Sequence, residues 1–166
     1  MAPLTRTNTT VLLVCEGYAE VELVRVIRDL YLPRGCGLSL RSENRRGYGG
    51  AAALRLALQR RREGDYDRIG VLVDTDQHWG AAERQLASAN GITTIECTPC
   101  LEAMLLSVDG RQVHARTTDN KQAFERTYGG SANRPGVIQR HFPRAKFDAA
   151  RKQIFAVDRC LTLLDC

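Results

Sequence analysis

No apolar run in this chain approaches the roughly 20 residues needed to cross a bilayer, so a membrane-spanning helix is not expected. The segment MAPLTRTNTT carries no long apolar stretch with a cleavage site, so a secretory leader is not expected and the expected compartment is the cytoplasm. Internal repeats and low-complexity tracts are absent, and no composition shift marks a domain boundary. There is one C-x-x-C, Cys97 to Cys100, and Cys160 with Cys166 makes a poor second pair, which argues against a structural zinc site. The six cysteines read as core thiols and a terminal cysteine rather than a disulfide framework. The three histidines, His78, His114 and His141, are too scattered to suggest a zinc set. The glycine-rich GYGG at 47–50 lacks the lysine of a phosphate-binding P-loop and reads as a turn.

What is present fits one compact domain with a core of its own. The chain has 166 residues, 43% hydrophobic and 26% charged, in the range of a globular protein. The expectation is a single domain over 1–166, with a core at about 8–108 and a helical extension at about 109–166. Net charge is +5, with basic clusters in RSENRRGYGG (41–50), QRRREGD (59–65) and RPGVIQRHFPRAK (134–146). Each cluster alone reads as a solvated surface, but the three together are compatible with a nucleic-acid partner.

Strand and helix patterns alternate through the first two thirds. TVLLVCE (10–16) is apolar and β-branched, and AEVELVRVIRDLY (19–31) repeats Val21, Val24, Ile27 and Leu30 at helical spacing. CGLSLRS (36–42) alternates like a strand, and AAALRLALQRRRE (51–63) is a helix ended by Gly64. YDRIGVLVDTD (66–76), GAAERQLASAN (80–90) and ITTIECT (92–98) read as strand, helix and strand. Pro99 is expected in the first turn of a helix over PCLEAMLLSV. Such alternation predicts an α/β fold with a mostly parallel four-stranded sheet flanked by helices. Helices are expected again over 119–129 and through FDAARKQIFAVDRCLTLLDC, giving a helical C-terminal third.

Two of the apolar strands end in acid, the first in Glu16 and the third in Asp74 and Asp76. Residues two apart on a strand share a side, so Asp74 and Asp76 are expected to project together. The carboxyl ends of parallel strands form the ligand crevice of such sheets. Glu20, in the first turn after Glu16, and Glu102, in the helix after the fourth strand, belong on the same rim. Converging carboxylates either take up protons or bind a metal. An all-oxygen set suits Mg²⁺ or Mn²⁺, whose chemistry is phosphoryl transfer. Taken singly, Asp76 reads equally well as a helix cap, and Glu20 and Glu102 as helix-dipole or surface residues. Tyr48 and Arg45 are candidates to stack on or clamp nucleotides. Trp79 either covers the site or anchors the next helix.

VCEG with Glu16 and VDTD with Asp74 and Asp76 resemble the motifs of the TOPRIM superfamily, and TPCLEAMLLSV with Glu102 resembles a motif of its small RloB-like members. The closer resemblance is to small RloB-like and OLD-type TOPRIM proteins of bacterial defence loci. Their first motif is similar to C-E-G-x-x-T-E, against CEGYAE here, and a later one to N-P-C-F-E-x-W-L-L-L-H. The resemblance covers roughly residues 10–108. It implies a Mg²⁺-dependent (or Mn²⁺-dependent) nuclease acting on DNA or RNA, with a role in antiphage defence. Glu16 would be the general acid or base, Asp74 and Asp76 would hold the metal, and Glu20 and Glu102 would complete the site. Arg45, Arg46, Tyr48, Arg60, Arg61 and Arg62 are the expected nucleic-acid contacts. The alternatives are a non-catalytic TOPRIM module, acting as partner subunit of an ATPase or as a nucleotide sensor, and a plain α/β nucleotide-binding protein. A homo-oligomer is compatible with any of these.

Overall fold

A computed structural model describes residues 8–166. Four strands, β1 (Thr9–Cys15), β2 (Leu38–Asn44), β3 (Arg68–Asp74) and β4 (Thr93–Cys97), form one sheet in the order β2-β1-β3-β4. Every neighbouring pair is parallel, with Cys15 opposite Asn44 on one side and Leu72 on the other, and Asp74 opposite Cys97. β1 and β3 are central and buried on both faces, which is why their sequences are unbroken apolar runs rather than alternating ones.

The helices between strands fall on both faces. α1 (Tyr18–Tyr31) links β1 to β2, α2 (Gly50–Glu63) links β2 to β3, and α3 (Ala81–Ala89) links β3 to β4. Alternate strand residues set the two cores. Leu12, Val14, Val71 and Val73 meet Ala53, Leu54 and Ala57 of α2, together with Ala87 and Trp79. Val11, Leu13, Cys15 and Leu72 face the other way, onto Leu23, Val24 and Ile27 of α1. Trp79 therefore packs into the α2–α3 layer, as an anchor. Cys15, Cys97, Cys100 and Cys160 are buried free thiols, and burial pushes all four up from the ordinary thiol range.

The remaining helices, α4 (Leu101–Val108), α5 (Thr117–Tyr128), α6 (Val137–His141), α7 (Arg144–Ala150) and α8 (Phe155–Leu163), add to the α1 face. Leu101 and Leu105 are packed there with Phe124, Phe142 and Phe147, and the phenyl rings of Phe124 and Phe142 stack 6.3 Å apart. Most boundaries move by a residue or two from the sequence expectation, β2 lying at Leu38–Asn44 rather than 36–42, and three differences matter more. α4 begins at Leu101 with Cys100 as its cap, leaving Pro99 outside, because the Asp74 carboxylate accepts the Leu101 N–H at 2.9 Å. The C-terminal run is two helices rather than one. The chain turns after Ala150, and Arg151 bonds Asp158 at 2.8 Å and the Thr162 hydroxyl at 3.1 Å. β3 stops at Asp74, not at residue 76. Among the described residues no helix is long and apolar enough to cross a membrane.

One buried amide fixes where α5 starts. Asn120 is fully buried; its Oδ1 accepts the His114 N–H at 2.8 Å, and its Nδ2 donates to the carbonyls of His114 (2.7 Å) and Arg116 (2.9 Å). Asn120→Ala would strand those backbone groups away from water, at a cost of about 2–3 kcal/mol. Thermal unfolding of this variant is expected at a temperature about 4–12 °C lower. An unchanged midpoint would show that the amide does not hold the segment.

Candidate active site

The connectivity determines where a cavity forms. The chain leaves β1 toward β2 on one side, and leaves β3 toward β4 on the other, so the two central strands part at their carboxyl ends. This is the switch point at which open parallel sheets take ligands. A cavity of about 360 Å³ lies there, lined by Glu16, Glu20, Asp74 and Glu102, with Lys121 and Glu125 on the wall contributed by α5. Glu16 follows β1, Asp74 ends β3, Glu20 is in the first turn of α1 and Glu102 in the first turn of α4.

Backbone amides hold three of these carboxylates in place. The Asp74 N–H donates to Glu16 Oε2 at 3.1 Å, so the tips of β1 and β3 are directly bonded. The Gly17 N–H donates to Glu20 Oε2 at 3.0 Å, closing the first turn of α1, and the Leu101 N–H donates to Asp74 Oδ1. Among the described residues, the second oxygen of each of these three side chains has no hydrogen-bond donor. Glu20, Asp74 and Glu102 are buried, while Glu16 is half-buried.

Burial and mutual repulsion make the cavity avid for positive charge. Burial first, then the charges of Glu20, Glu16, Glu102 and Asp76, pushes Asp74 up to about 9. Burial, with Glu16 and Glu102 adding to it, pushes Glu20 up to about 7 against the pull of its own backbone N–H and that of Gly17. Glu16 is also raised, by burial and then by Asp76, although the Asp74 N–H, Lys121 and His78 pull the other way. Partial burial lowers Lys121, but the charges of Glu102, Asp74 and Asp76 outweigh it and hold the ammonium above its ordinary value. These directions share one cause, an excess of oxygen anions in a confined space.

The donor chemistry suits a hard divalent cation. All the acidic groups offer oxygen, three present a free oxygen, and adding a cation would relieve the repulsion that raises them. Among the described residues no three histidine, cysteine or carboxylate side chains stand together as a ready-made metal cage. Mg²⁺ ordinarily takes one or two carboxylates and completes its shell with water and phosphate oxygens, so such a cage is not required of this donor set.

The remaining sequence candidates separate. Asp76 does not share a strand face with Asp74, because it lies beyond the end of β3. It is exposed, and its Oδ2 accepts the Thr117 hydroxyl at 2.6 Å. Arg46 lines the cavity, and Arg45 and Tyr48 lie beside it in the exposed β2–α2 loop. Arg60, Arg61 and Arg62 sit in the last turn of α2, about 15 Å along the helix from Gly50. Arg60 pairs with Glu43 at 3.0 Å and with Glu63 at 2.8 Å. Arg61 lies against Gly91, in the turn before β4 at the far end of the sheet. Sequence reasoning missed Lys121 and Glu125. They are one helical turn apart on a helix it did expect, but nothing local says which element that face would meet.

No family model, no curated protein and no solved structure matches this chain.

Proposed function

We propose that the protein is a Mg²⁺-dependent nuclease that hydrolyses phosphodiester bonds, of the TOPRIM type that its strand-end motifs resemble. The observation that carries this reading is the convergence of Glu16, Glu20, Asp74 and Glu102, from four separate elements, on one cavity at the switch point of the sheet. One or two of Glu20, Asp74 and Glu102 would hold the ion, water and substrate oxygens completing its shell, with Asp76 contributing charge from outside the cavity. When bound there, a hard divalent cation supplies a polarised phosphate oxygen and a water of lowered pKa.

The chain's own residues fill the other roles. Glu16 is fixed by the Asp74 N–H through one oxygen, which leaves the other to accept or return a proton. Its raised proton affinity favours exchange closer to neutrality than an ordinary carboxylate allows. Lys121 and Arg46, on two walls of the cavity, offer the cations that hold phosphate oxygens. Bacterial defence against phage is the setting that the RloB-like motifs suggest.

The test is incubation of the purified chain with single- and double-stranded DNA and RNA, with Mg²⁺, Mn²⁺ or chelator. Metal-dependent cleavage is expected, with Glu16→Gln losing about 10²–10⁴-fold in rate. Cleavage that survives chelator, or that is unchanged in Glu16→Gln, overturns the reading.

One observation favours a second reading, a non-catalytic module that serves an ATPase partner or senses a nucleotide. Asp76, a carboxylate that the motif assigns to the metal, is engaged by Thr117 outside the cavity. Metal-dependent nucleotide binding, without cleavage until a partner is added, would select it.

A further inference from the structure

Burying or pairing an aromatic ring is the rule, and most of the tyrosines here follow it. There are five. Tyr31 bonds Asp148 through its hydroxyl at 2.6 Å and carries the Arg144 guanidinium over its ring at 4.5 Å. Tyr128 bonds Asp109 at 2.8 Å and packs on Phe124 with ring centres 4.6 Å apart. Tyr66 rests on the α2-side core. Tyr18 and Tyr48 do neither. They are 58% and 74% exposed and, among the described residues, have no ring partner, no cation over the ring and no hydroxyl bond.

One unpartnered ring lines the carboxylate cavity, and the other is carried by a loop that borders it. Tyr18 lines it directly, two residues after Glu16. Tyr48 follows Gly47, which also lines it, and the loop that carries Tyr48 is tied to the tip of β1. The Arg45 N–H donates to the Cys15 carbonyl at 3.1 Å, and the Gly47 N–H donates to the Glu16 carbonyl at 2.8 Å. Gly47 and Gly49, on either side of Tyr48, have φ of +81° and +85°, a backbone that L side chains avoid. The loop thus turns back on itself and leaves the ring at its tip, anchored at the base. Arg46 lies in the same loop and lines the cavity.

Exposed aromatic faces beside an arginine, around a site for phosphate chemistry, suit unstacked nucleobases. Bases inside a duplex have their faces covered by their neighbours, whereas those of a single strand can lie on tyrosine rings while the backbone meets arginine. We infer that Tyr18 and Tyr48 are stacking platforms that make single-stranded nucleic acid, rather than duplex, the ligand of this cavity. This rests on the nuclease reading for its biological meaning, but the binding that it requires can be measured without cleavage.

The experiment is fluorescence anisotropy with labelled oligothymidine and oligouridine of about 12 nucleotides, within the span that single-strand binders cover. A blunt mixed-sequence duplex of the same length is the comparison, with Ca²⁺ in place of Mg²⁺. The wild type is expected to bind at least one of the single strands about tenfold or more tighter than the duplex. Tyr18→Ala and Tyr48→Ala are each expected to weaken that binding about five- to hundredfold and to leave the duplex unaffected. Tyr18→Phe and Tyr48→Phe retain the ring and are expected to retain the affinity. Both side chains are exposed, so folding of the variants is checked by an unchanged melting temperature. Equal or tighter binding of the duplex, or unchanged single-strand binding in both alanine variants, overturns the inference. Cleavage assays on the same samples separate the two claims. Tyrosine-dependent single-strand binding without metal-dependent cleavage supports the stacking role and ends the nuclease reading. Cleavage with no response to the tyrosines does the reverse.

Discussion

Asp74→Asn is expected to raise the melting temperature of the metal-free protein at pH 8 by about 4–8 °C, and to abolish the stabilisation by Mg²⁺ that the proposed function predicts for the wild type. Asparagine keeps the oxygen that accepts the Leu101 N–H, so α4 stays capped. What it removes is the charge. Asp74 is pushed up to about 9 by its burial and by Glu20, Glu16, Glu102 and Asp76. At pH 8 the wild type must therefore fold while retaining a proton that the unfolded chain has lost, or else bury a repelled anion. A cost of about 2 kcal/mol gives a shift of that size. Near pH 3 the two proteins should melt together, because Asp74 is then largely neutral in both folded and unfolded states. Differential scanning calorimetry in chelator and in Mg²⁺ makes the comparison. A lower midpoint for the variant at pH 8, or an undiminished response to Mg²⁺, would remove Asp74 from the proposed metal set. A more stable and inactive variant is the behaviour expected where carboxylates are kept together for chemistry rather than for folding.

The second large effect is on the wild type itself, whose metal-free stability should fall as the pH rises. Ordinary carboxylates lose their protons near pH 4, so in the unfolded chain Asp74 and Glu20 are ionised above that. In the folded protein they retain protons up to about 9 and about 7. Between these limits the native state binds more protons than the unfolded state, and stability falls with pH. The expected slope is on the order of 1 kcal/mol per pH unit from pH 4 to 9, steeper below pH 7 where both groups act. Carboxylates with lowered values work outside this window. Asp109, held down to about 2 by Lys146, Arg111 and Tyr128 against its own burial, gives stability that is complete above pH 4 and is lost below it.

A divalent cation reverses the trend. It favours the ionised carboxylates, so binding expels protons, and the stabilisation by Mg²⁺ should be larger at pH 8 than at pH 6. Calorimetric titration in two buffers of different ionisation enthalpy counts the released protons. A metal-free stability that rises between pH 6 and 8, or metal binding with no proton release, would contradict a crowded acidic cavity.

The parts of the site that could be read in advance are those carried by local sequence. Glu16 and Asp74 each end a short apolar run, and a parallel strand's end is also the rim of its sheet. Glu20 and Glu102 stand in the first turns of the helices that follow strands, which aims them at the same rim. Asp76 lies two residues past the last paired position of β3, so strand alternation does not place it, although its charge still bears on Asp74 and Glu16. The arginine clusters show a different limit. Arg46 and Arg61 are both basic and both near Gly50 in sequence, yet α2 carries the second to the opposite end of the sheet. Composition registers the charge of both and the location of neither.

The amino-acid sequence by itself determined the alternation of strands and helices, the parallel sheet that follows from it, and the acids at the tips of two central strands. Those features depend on hydrophobic periodicity and chain reach, which act over a few residues. Tertiary structure alone decided that β1 and β3 lie side by side and part at the cavity, and that the β2–α2 loop, which carries Tyr48, ties to the tip of β1. It also decided that α5 docks with Lys121 facing the carboxylates. Those outcomes depend on which apolar faces bury one another across the whole chain, and on long-range bonds such as the Gly47 N–H to the Glu16 carbonyl, which no local pattern encodes.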